Sequence, residues 1–503
     1  MLKHRSTVAF VLSIIQQCIG IVTLWFISHY MGPGPLGLIG SAVSYVTVFM
    51  SFTDLGFGLA HTSLVSSDKE NLASYLGVYL RIKFTLVSVS GLVCLSSILI
   101  SDYNGARLVI PREYKTILYV MLLFNVLSGY LQIAIKTFEA RLEKTKEMFI
   151  GLVMKLVVGT LRICVATAGL GAIYLSFSSV VGVLIALALA IYFLRTYEIP
   201  KFDLSLFRRY VFLAMPGMLI AVVAKADQEI DRFMLSYLTT PDVVGFYTGA
   251  KSIVQLTTFV SVIFVGLILP KYFRLSSENL VNEIGVYAIR MERYITFPIV
   301  ALASFMFCRA EALQDLLLGD KFLGVANTIR ILILATLVRI ISMPFSLQLV
   351  GTRRFKHASI ISVVLIFGNI SLGLFLIPDS FLGIKAFDYK AEGAAYALLL
   401  TSVVGSLGFR IYAYKISGAT FSIEIPLIIV IGGGVNYLFL NTLEIGVDAS
   451  LFLRLLIEFF SSSFLFFLTL RIAGIFRKDD FKFYMEAFNI NKILTYIRKE
   501  LSE

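Results

Sequence analysis

Ten of the ionisable residues within long apolar stretches of this 503-residue chain are candidates for function, because an isolated charge is costly there unless a partner or water contacts it. Six are cations, which predict a binding site for an anionic ligand: Lys155, Arg162, Lys225, Arg232, Lys251 and Arg339. Four are acids, which are candidates for binding a coupling Na+ or proton: Asp54, Asp227, Glu229 and Asp231. A guanidinium can hold phosphate or carboxylate oxygens with two parallel N–H donors, so an intramembrane arginine favours anion binding. We predict no catalytic residue and no cofactor.

The same charges also have a structural interpretation within the apolar stretch 210–238. Lys225 and Glu229 are spaced i, i+4 and can neutralise each other, whereas the equally spaced Asp227 and Asp231 cannot. Arg232 could likewise pair with Asp231 or Glu229 simply to satisfy a buried charge. The sequence leaves pairing and ligand binding open as alternatives for this stretch.

Charges elsewhere carry similar alternatives. Lys155 and Arg162 are spaced i, i+7, which places them on one face of a helix. Lys251 could pair with an acid of the stretch 210–238, and a structural role near a helix end is favoured for Asp54. A further pair at i, i+4, Arg454 and Glu458, is expected to neutralise itself.

The composition identifies the elements that carry these residues. Hydrophobic residues make up 58% of the chain and charged residues 15%, against roughly a quarter in soluble domains. The net charge of +12 is spread between apolar runs of about 20 residues, the length that crosses a bilayer. The sequence therefore predicts an all-α, multi-pass membrane protein and excludes a cytosolic enzyme or a nucleic-acid binder. The four cysteines and four histidines are scattered, so we predict neither disulfides nor a metal site.

Fourteen transmembrane helices are predicted from the apolar runs, as spans 1 to 14. Their approximate bounds are 8–30, 38–64, 75–100, 116–135, 148–170, 173–194, 210–238, 243–269, 285–308, 325–350, 358–378, 391–414, 423–441 and 449–470. With the N-terminus inside, the inner segments hold 29 Lys and Arg residues and the outer segments hold 8. Because cytoplasmic segments are enriched in these residues, both termini are predicted to be cytoplasmic.

An internal repeat predicts two six-helix lobes in the same orientation. The segment Tyr30–Ala42, between spans 1 and 2, resembles Tyr237–Ala250, between spans 7 and 8, at an offset of 208 residues. We therefore expect an N-lobe at 1–200 (spans 1 to 6), a C-lobe at 201–416 (spans 7 to 12), spans 13 and 14 at 417–475, and a cytoplasmic amphipathic tail at 476–503 lying on the inner leaflet. Parallel repeats of this kind are typical of transporters.

The repeat also carries a family resemblance. The glycines from Gly32 to Gly37, the sequence Asp54-Leu-Gly-Phe-Gly58, and Asp231-Arg-Phe-Met-Leu followed by Val244-Gly-Phe-Tyr-Thr-Gly-Ala-Lys251 are similar to signatures of the polysaccharide-biosynthesis or O-antigen flippase branch of the multidrug/oligosaccharidyl-lipid/polysaccharide superfamily. The resemblance implies a V-shaped two-lobed transporter in the cell membrane. It also implies an isoprenoid-diphosphate-linked oligosaccharide as the substrate, moved from the inner to the outer leaflet.

This resemblance also implies specific roles for the charged residues. A diphosphate needs cations in the membrane, so we expect Arg162, Lys225, Lys251 and Arg339 to line the cavity and hold the diphosphate or acidic sugars. Besides the lipid-linked oligosaccharide and membrane lipids, the expected partners are separate glycosyltransferases or polymerases.

Three other functions were weighed. A MATE-like multidrug or cation antiporter is the main alternative, but it calls for an acidic cavity and only twelve helices. A polytopic glycosyltransferase is disfavoured because the first outer loop, Met31–Leu36, has no charge and the other outer segments are short. A membrane scaffold has no need of so much intramembrane charge.

Overall fold

A computed structural model of the protein describes residues 2–67, 72–105, 109–141, 143–195, 203–442 and 450–487. Nearly all of these residues are helical. In the first half of the chain the helices are α1 (Leu2–Met31), α2 (Pro33–Met50), α3 (Phe57–Ser67), α4 (Leu72–Tyr103), α5 (Lys115–Arg141), α6 (Lys144–Thr167), α7 (Ala172–Leu194), α8 (Leu204–Ala214), α9 (Met218–Asp227) and α10 (Ile230–Leu238).

The second half continues with α11 (Pro241–Val254), α12 (Thr258–Ser277), α13 (Val281–Cys308), α14 (Ala310–Leu317), α15 (Ala326–Gly351), α16 (Phe355–Leu376), α17 (Lys390–Ser417), α18 (Glu424–Leu427), α19 (Gly433–Thr442), α20 (Leu451–Ile472) and α21 (Lys478–Ala487). The strands found in the described chain are β1 (Ser380–Phe381) and β2 (Ile384–Lys385), which form one antiparallel hairpin.

The predicted fold class, an all-helical membrane protein, is confirmed. Thirteen segments of the described chain are long and apolar enough to span a membrane. Predicted span 8 is also helical, as α11, a 3-10 turn at Gln255–Thr257, and α12, but several of its side chains lie outside the described residues. The count of fourteen and the orientation of the termini therefore stay predictions.

Span 7 differs from the single straight helix that the sequence predicted. It consists of α8, a 3-10 turn at Met215–Gly217, α9, a short turn at residues 228–229, and α10. Pro216 lies in the first interruption, as expected for a residue that has no N–H and clashes with the preceding turn. Pro298, in contrast, is accommodated within the continuous helix α13. Span 7 is interrupted twice. Its residues therefore cannot be assigned to helix faces by assuming one continuous helix with 100° per residue.

The helices pack into two compact units. The N-terminal unit comprises Leu12–Gly249 and Ser362–Ala394, and the C-terminal unit comprises Ala250–Ile361 and the described residues from Ala395 onward, together with the start of α1. Nothing in these units tests the predicted boundaries at 200, 416 and 475, which stay predictions.

Within the N-terminal unit, the two repeat-related segments pack directly against each other. A Cβ atom added at Gly37 would lie 1.7 Å from the carbonyl oxygen of Pro241, and one added at Gly245 would lie 2.1 Å from the carbonyl oxygen of Pro33. The contact is reciprocal, because each glycine lets the first turn of the other helix approach its backbone. Glycine is therefore required here for close approach, and α2 and α11 cross at their N-terminal turns.

The C-terminal unit has a core built around α13, which is largely buried along its length. Aromatic side chains fill this core, including the fully buried Phe297, Phe345 and Phe466. Gly432, at the end of a π-helical turn between α18 and α19, faces Phe466 so closely that an added Cβ would lie 2.3 Å from its ring. Glycine at this position therefore allows close packing of the helix against Phe466.

An ionic cluster joins α21 to the same core. Arg293 of α13 donates to both carboxylate oxygens of Asp480, at 3.2 and 2.7 Å, and to the carbonyl oxygen of Ile475 at 2.6 Å. The same guanidinium pairs with Glu424, and the Tyr484 hydroxyl donates to the carbonyl oxygen of Tyr294 at 2.5 Å. The first turns of the predicted tail are thus bound to the core of the C-terminal unit.

The described part of the tail accordingly has two apolar sides. Phe483 stacks on Tyr294 at 4.0 Å between ring centroids, whereas Phe481 and Met485 are exposed. The predicted contact with the inner leaflet is therefore available to Phe481 and Met485 only, since Phe483 packs on protein. The remainder of the predicted tail, 488–503, lies outside the described residues.

Gly37→Ala and Gly245→Ala should each separate α2 from α11 and lower thermal stability, because the added methyl group would overlap a backbone carbonyl. Overpacking of this kind costs about 1–3 kcal/mol. Gly20→Ala, in α1, is the matched control, since nothing lies within 4 Å of its added Cβ atom. Melting temperatures in detergent measure the effect, and an unchanged value for Gly37→Ala would contradict the crossing.

Asp480→Asn should destabilise the C-terminal unit, because it leaves the Arg293 guanidinium with one carboxylate fewer in a buried site. Breaking a buried pair costs about 3–5 kcal/mol. Asp479→Asn is the matched control, because Asp479 is exposed on the same helix turn. Thermal unfolding together with proteolysis of the C-terminal segment distinguishes the two variants. Equal behaviour would show that α21 does not depend on the ion pair.

Candidate functional site

The end of α2 carries a cluster of one carboxylate and two lysines. α2 ends at Met50 and is followed by a 3-10 turn at Ser51–Thr53, which leaves carbonyl oxygens at the helix end available. Lys225 Nζ, from α9, binds the Met50 carbonyl oxygen at 2.7 Å and the Thr53 hydroxyl at 3.2 Å. Lys83 Nζ, from α4, binds Asp54 Oδ1 at 2.6 Å and the Thr53 carbonyl oxygen at 3.0 Å.

This arrangement corrects the predicted pairing of Lys225 with Glu229 and adds Lys83 to the site. Lys225 does not use Glu229 as its partner, because α9 ends at Asp227 and the following turn changes the direction of the chain. Asp54 forms an ion pair with Lys83, and its favoured structural role stays a prediction. Lys83 was not predicted as a site residue, although it lies within predicted span 3, because its partner Asp54 belongs to another segment of the chain. Its side chain is buried within α4. Two cations share one carboxylate here, so the cluster keeps a positive charge.

Arg232 and Glu229 form the second charged group. Arg232 Nη2 lies 2.5 Å from Glu229 Oε1, and both side chains are largely buried. This confirms the pairing alternative for Arg232. Glu229 Oε2 and Arg232 Nε are buried and have no hydrogen-bond partner among the described residues, so the pair retains one acceptor and one donor for another group.

Asp231 lies in the first turn of α10 and is buried. Its Oδ2 accepts a hydrogen bond from the Tyr247 hydroxyl at 2.9 Å, and its Oδ1 accepts one from Asn369 Nδ2 at 2.8 Å. The interaction joins α10, α11 and α16, a combination that sequence spacing alone could not reveal. Asp227, the last residue of α9, is half-buried.

Arg162, in the middle of α6, is held by hydroxyl groups. Its Nε donates to Ser178 Oγ at 3.3 Å and its Nη2 to Ser179 Oγ at 2.9 Å. No carboxylate among the described residues pairs with Arg162. Lys155, two turns away on the same helix, is exposed and likewise has no ion pair or hydrogen bond to another described side chain. The predicted common face of Lys155 and Arg162 is therefore a positively charged face of α6.

The remaining predicted cations belong to the C-terminal unit. Lys251 is half-buried in α11, and Arg339 is exposed in α15. Four of the six predicted cations thus lie in one unit and two in the other. Cavity lining by Arg162, Lys225, Lys251 and Arg339 together stays a prediction.

Two ion pairs of the C-terminal unit were not predicted from the sequence. Arg410 donates to both oxygens of the fully buried Glu292, at 2.5 and 3.0 Å. Its guanidinium also lies 4.6 Å from the ring centroids of Phe345 and Phe421.

The second missed partner concerns the predicted Arg454 and Glu458 pair. That pair is present at 3.1 Å, and Arg309 also contacts Glu458, at 2.7 Å.

The described residues contain no group of three or more His, Cys, Asp and Glu residues that could hold a metal ion.

Comparisons with known proteins agree with this architecture. Residues 3–276, more than half of the chain, match the family model described as "Polysaccharide biosynthesis protein". A structure of the lipid II flippase MurJ in an inward closed conformation is similar with a TM-score of 0.70 and 13% identity, covering 93% of this chain and 100% of that one. No curated protein matches the sequence significantly.

Structures of multidrug transporters share the fold at lower similarity. An inward-facing multidrug resistance MATE transporter gives a TM-score of 0.61 at 14% identity, covering 81% of this chain and 96% of that one. A superfamily transporter from Pyrococcus furiosus, whose reported reverse pocket polarity suggests a different function for it, gives 0.56 at 13% identity, covering 82% and 96%.

The thirteen apolar spans, the MurJ-like fold and the family match lead to one conclusion. The chain belongs to the polysaccharide biosynthesis protein family, whose members are multi-pass membrane transporters and not enzymes.

Proposed function

We propose that this protein flips a polyprenyl-diphosphate-linked oligosaccharide from the inner to the outer leaflet of the cell membrane, for assembly of a surface polysaccharide or glycan. The proposal combines the family match with the likeness to a structure named as a lipid II flippase. The mechanism is alternating access, coupled to an ion gradient. Glycosyltransferases or polymerases that make and use the substrate would be separate chains.

The observation that carries the proposal is the way in which Arg162 is held. Serine hydroxyls fix the guanidinium in position without neutralising its charge, and the nearby Lys155 adds a second cation. A cation in hydrocarbon without a carboxylate is costly, so an anionic ligand would bind it favourably. A diphosphate supplies that charge and can accept two N–H donors from one arginine.

Lys225 provides a second binding element of the same kind. It is held by a carbonyl oxygen and a hydroxyl, and the carboxylate of its cluster, Asp54, is paired with Lys83. Together with the half-buried Lys251 and the exposed Arg339, these residues are the proposed ligands of the diphosphate or of acidic sugars. Arg232 keeps an unused Nε donor and could contribute beside its partner Glu229.

Ion coupling is assigned to the acids of the N-terminal unit. Asp231 is the leading candidate, because it is buried and its carboxylate oxygens accept hydrogen bonds from the neutral groups of Tyr247 and Asn369. Asp54 is a weaker candidate, since Lys83 neutralises it. Asp227 and Glu229 remain candidates for Na+ or proton binding on their position in span 7.

A MATE-like drug antiporter is the alternative function. The MATE structures cover about four fifths of this chain, and the MurJ structure covers 93%. The cationic face of α6 would also repel the organic cations that such exporters carry. Both observations favour the lipid-linked glycan.

Arg162→Ala should lower the rate of lipid-diphosphate oligosaccharide transport in proteoliposomes by about 10- to 100-fold, the value of one charge-assisted hydrogen-bonded contact. Arg162→Lys should retain part of the activity, because lysine keeps the positive charge but lacks the two parallel N–H donors of the guanidinium. Arg274→Ala is the matched control, since Arg274 is exposed and pairs only within its own helix. Full activity of folded Arg162→Ala protein would refute the assigned role.

Asp231→Asn should abolish the stimulation of transport by an imposed Na+ or proton gradient while leaving exchange without a gradient measurable. The amide has nearly the same size but cannot carry the charge that binds the ion. Asp54→Asn serves as the comparison. Efflux of organic cations by the intact protein, without transport of any lipid-linked glycan, would instead establish the drug antiporter.

A further inference from the structure

Two arginines share one buried carboxylate in the C-terminal unit, near the ends of α13 and α19 and the start of α20. Glu458 of α20 is almost fully buried. Arg309, which follows α13, binds it with two donors, Nε to Oε2 at 2.7 Å and Nη2 to Oε1 at 3.1 Å. Arg454, one turn earlier on α20, donates from Nε to the same Oε1 at 3.1 Å. The two guanidinium groups therefore lie side by side.

This group of three residues keeps a positive charge, because two cations meet one carboxylate. Within the described chain, no carboxylate other than Glu458 pairs with either arginine. The first turn of α20 also carries no acidic residue. Adjacent cations repel each other, and an anion bound between them removes that cost. The group therefore favours a second anion beside Glu458.

Both arginines keep N–H donors for such an anion. Arg309 uses Nη2 again for the Leu440 carbonyl oxygen of α19, at 2.7 Å, and its Nη1 makes no hydrogen bond to a described residue. Arg454 uses Nε alone, which leaves both of its Nη nitrogens. Two parallel N–H groups of a guanidinium fit two oxygens of one phosphate. The Arg454 side chain is 39% exposed, so a ligand can reach it.

A third arginine at the same end of the unit shows the contrast. Arg330 of α15 donates to the Phe307 carbonyl oxygen at 3.3 Å, to Asn327 Oδ1 at 3.1 Å and to Glu311 Oε1 at 3.0 Å. All three of its nitrogens are thus used, and a carboxylate of its own cancels its charge. The unused donors and the uncancelled charge belong to Arg309 and Arg454.

The surface around Arg454 is apolar and exposed. Leu453 and Ile457 lie beside it, and the exposed side chains continue along α20 with Phe460 and Phe464. Because α20 is long and apolar enough to span a membrane, we expect these side chains to contact acyl chains. An arginine in the first turn of such a helix lies at the depth of the lipid phosphates, where basic groups between helices bind lipid headgroups.

We propose that Arg309 and Arg454 form a binding site for the phosphate group of a bilayer phospholipid, at the end of span 14 that is predicted to face outward. Glu458 is the positioning residue, because it orients both guanidinium groups and leaves one positive charge for the ligand. The bound lipid would hold the ends of α13, α19 and α20 together at the membrane surface. This inference does not depend on the proposed function, since it concerns lipids of the surrounding membrane.

The test is native mass spectrometry of the full-length protein in detergent, titrated with phosphatidylglycerol. Arg454→Gln should weaken binding of the tightest phosphatidylglycerol molecule by about tenfold, the value of one charge-assisted hydrogen-bonded contact. The variant should fold, because Arg309 still binds both oxygens of Glu458. Arg454→Lys should bind more tightly than Arg454→Gln, because it keeps the charge.

Arg330→Gln is the matched control, since it removes a positive charge from the same end of the unit and should leave the affinity unchanged. Melting temperatures verify that each variant is folded. Equal affinity of wild-type and folded Arg454→Gln protein for phosphatidylglycerol would overturn the proposal.

Parallel titrations with a polyprenyl phosphate and with inorganic phosphate separate the possible sources of the phosphate group. An effect of Arg454→Gln on phosphatidylglycerol, with no measurable binding of inorganic phosphate, would support the phospholipid site. An effect confined to the polyprenyl phosphate would overturn it in favour of an isoprenoid lipid. Inorganic phosphate that binds as tightly as the lipid would overturn it in favour of a free anion.

Discussion

A charge inside hydrocarbon must be met by a partner, and this constraint accounts for most of the polar structure in the spans. The protein meets it in three ways. Lys83 and Arg410 are paired with carboxylates, Lys225 is bound by a carbonyl oxygen at a helix end and a hydroxyl, and Arg162 is bound by two serine hydroxyls. Only the carboxylates cancel the charge of their partners. The other two arrangements hold a cation in place and leave it positive.

Helix interruptions make the second arrangement available. An unbroken helix satisfies its carbonyls internally, so a lysine could not use them as ligands. The end of α2 at Met50 supplies such oxygens, and the breaks in span 7 bring Lys225 to them. The same breaks set Glu229 beside Arg232 and turn Asp231 toward Asn369. Irregular backbone in this unit thus supplies carbonyl oxygens that bind a lysine.

The sequence predicted the helices and the ionisable residues well, because apolar length and buried charge leave clear signals in composition. It predicted pairing well only where both partners lie on one helix, as for Arg454 with Glu458. It missed Lys83, because partners from different helices carry no spacing signal. The offset of 208 residues had marked Gly37 and Gly245 as equivalent. Their mutual contact became apparent only from the crossing of α2 and α11.

The same reasoning separates structural cations from functional ones. Arg410 is enclosed by Glu292 and two aromatic rings. If an anionic ligand displaced Glu292 from Arg410, the Glu292 carboxylate would be left buried and unpaired, which is strongly unfavourable. Arg162 would lose only two hydrogen bonds from hydroxyl groups, which can turn to other partners. A transporter must bind its substrate and then release it, which requires contacts that are exchanged at low cost. Cations held by neutral groups meet that requirement, and cations locked to carboxylates do not.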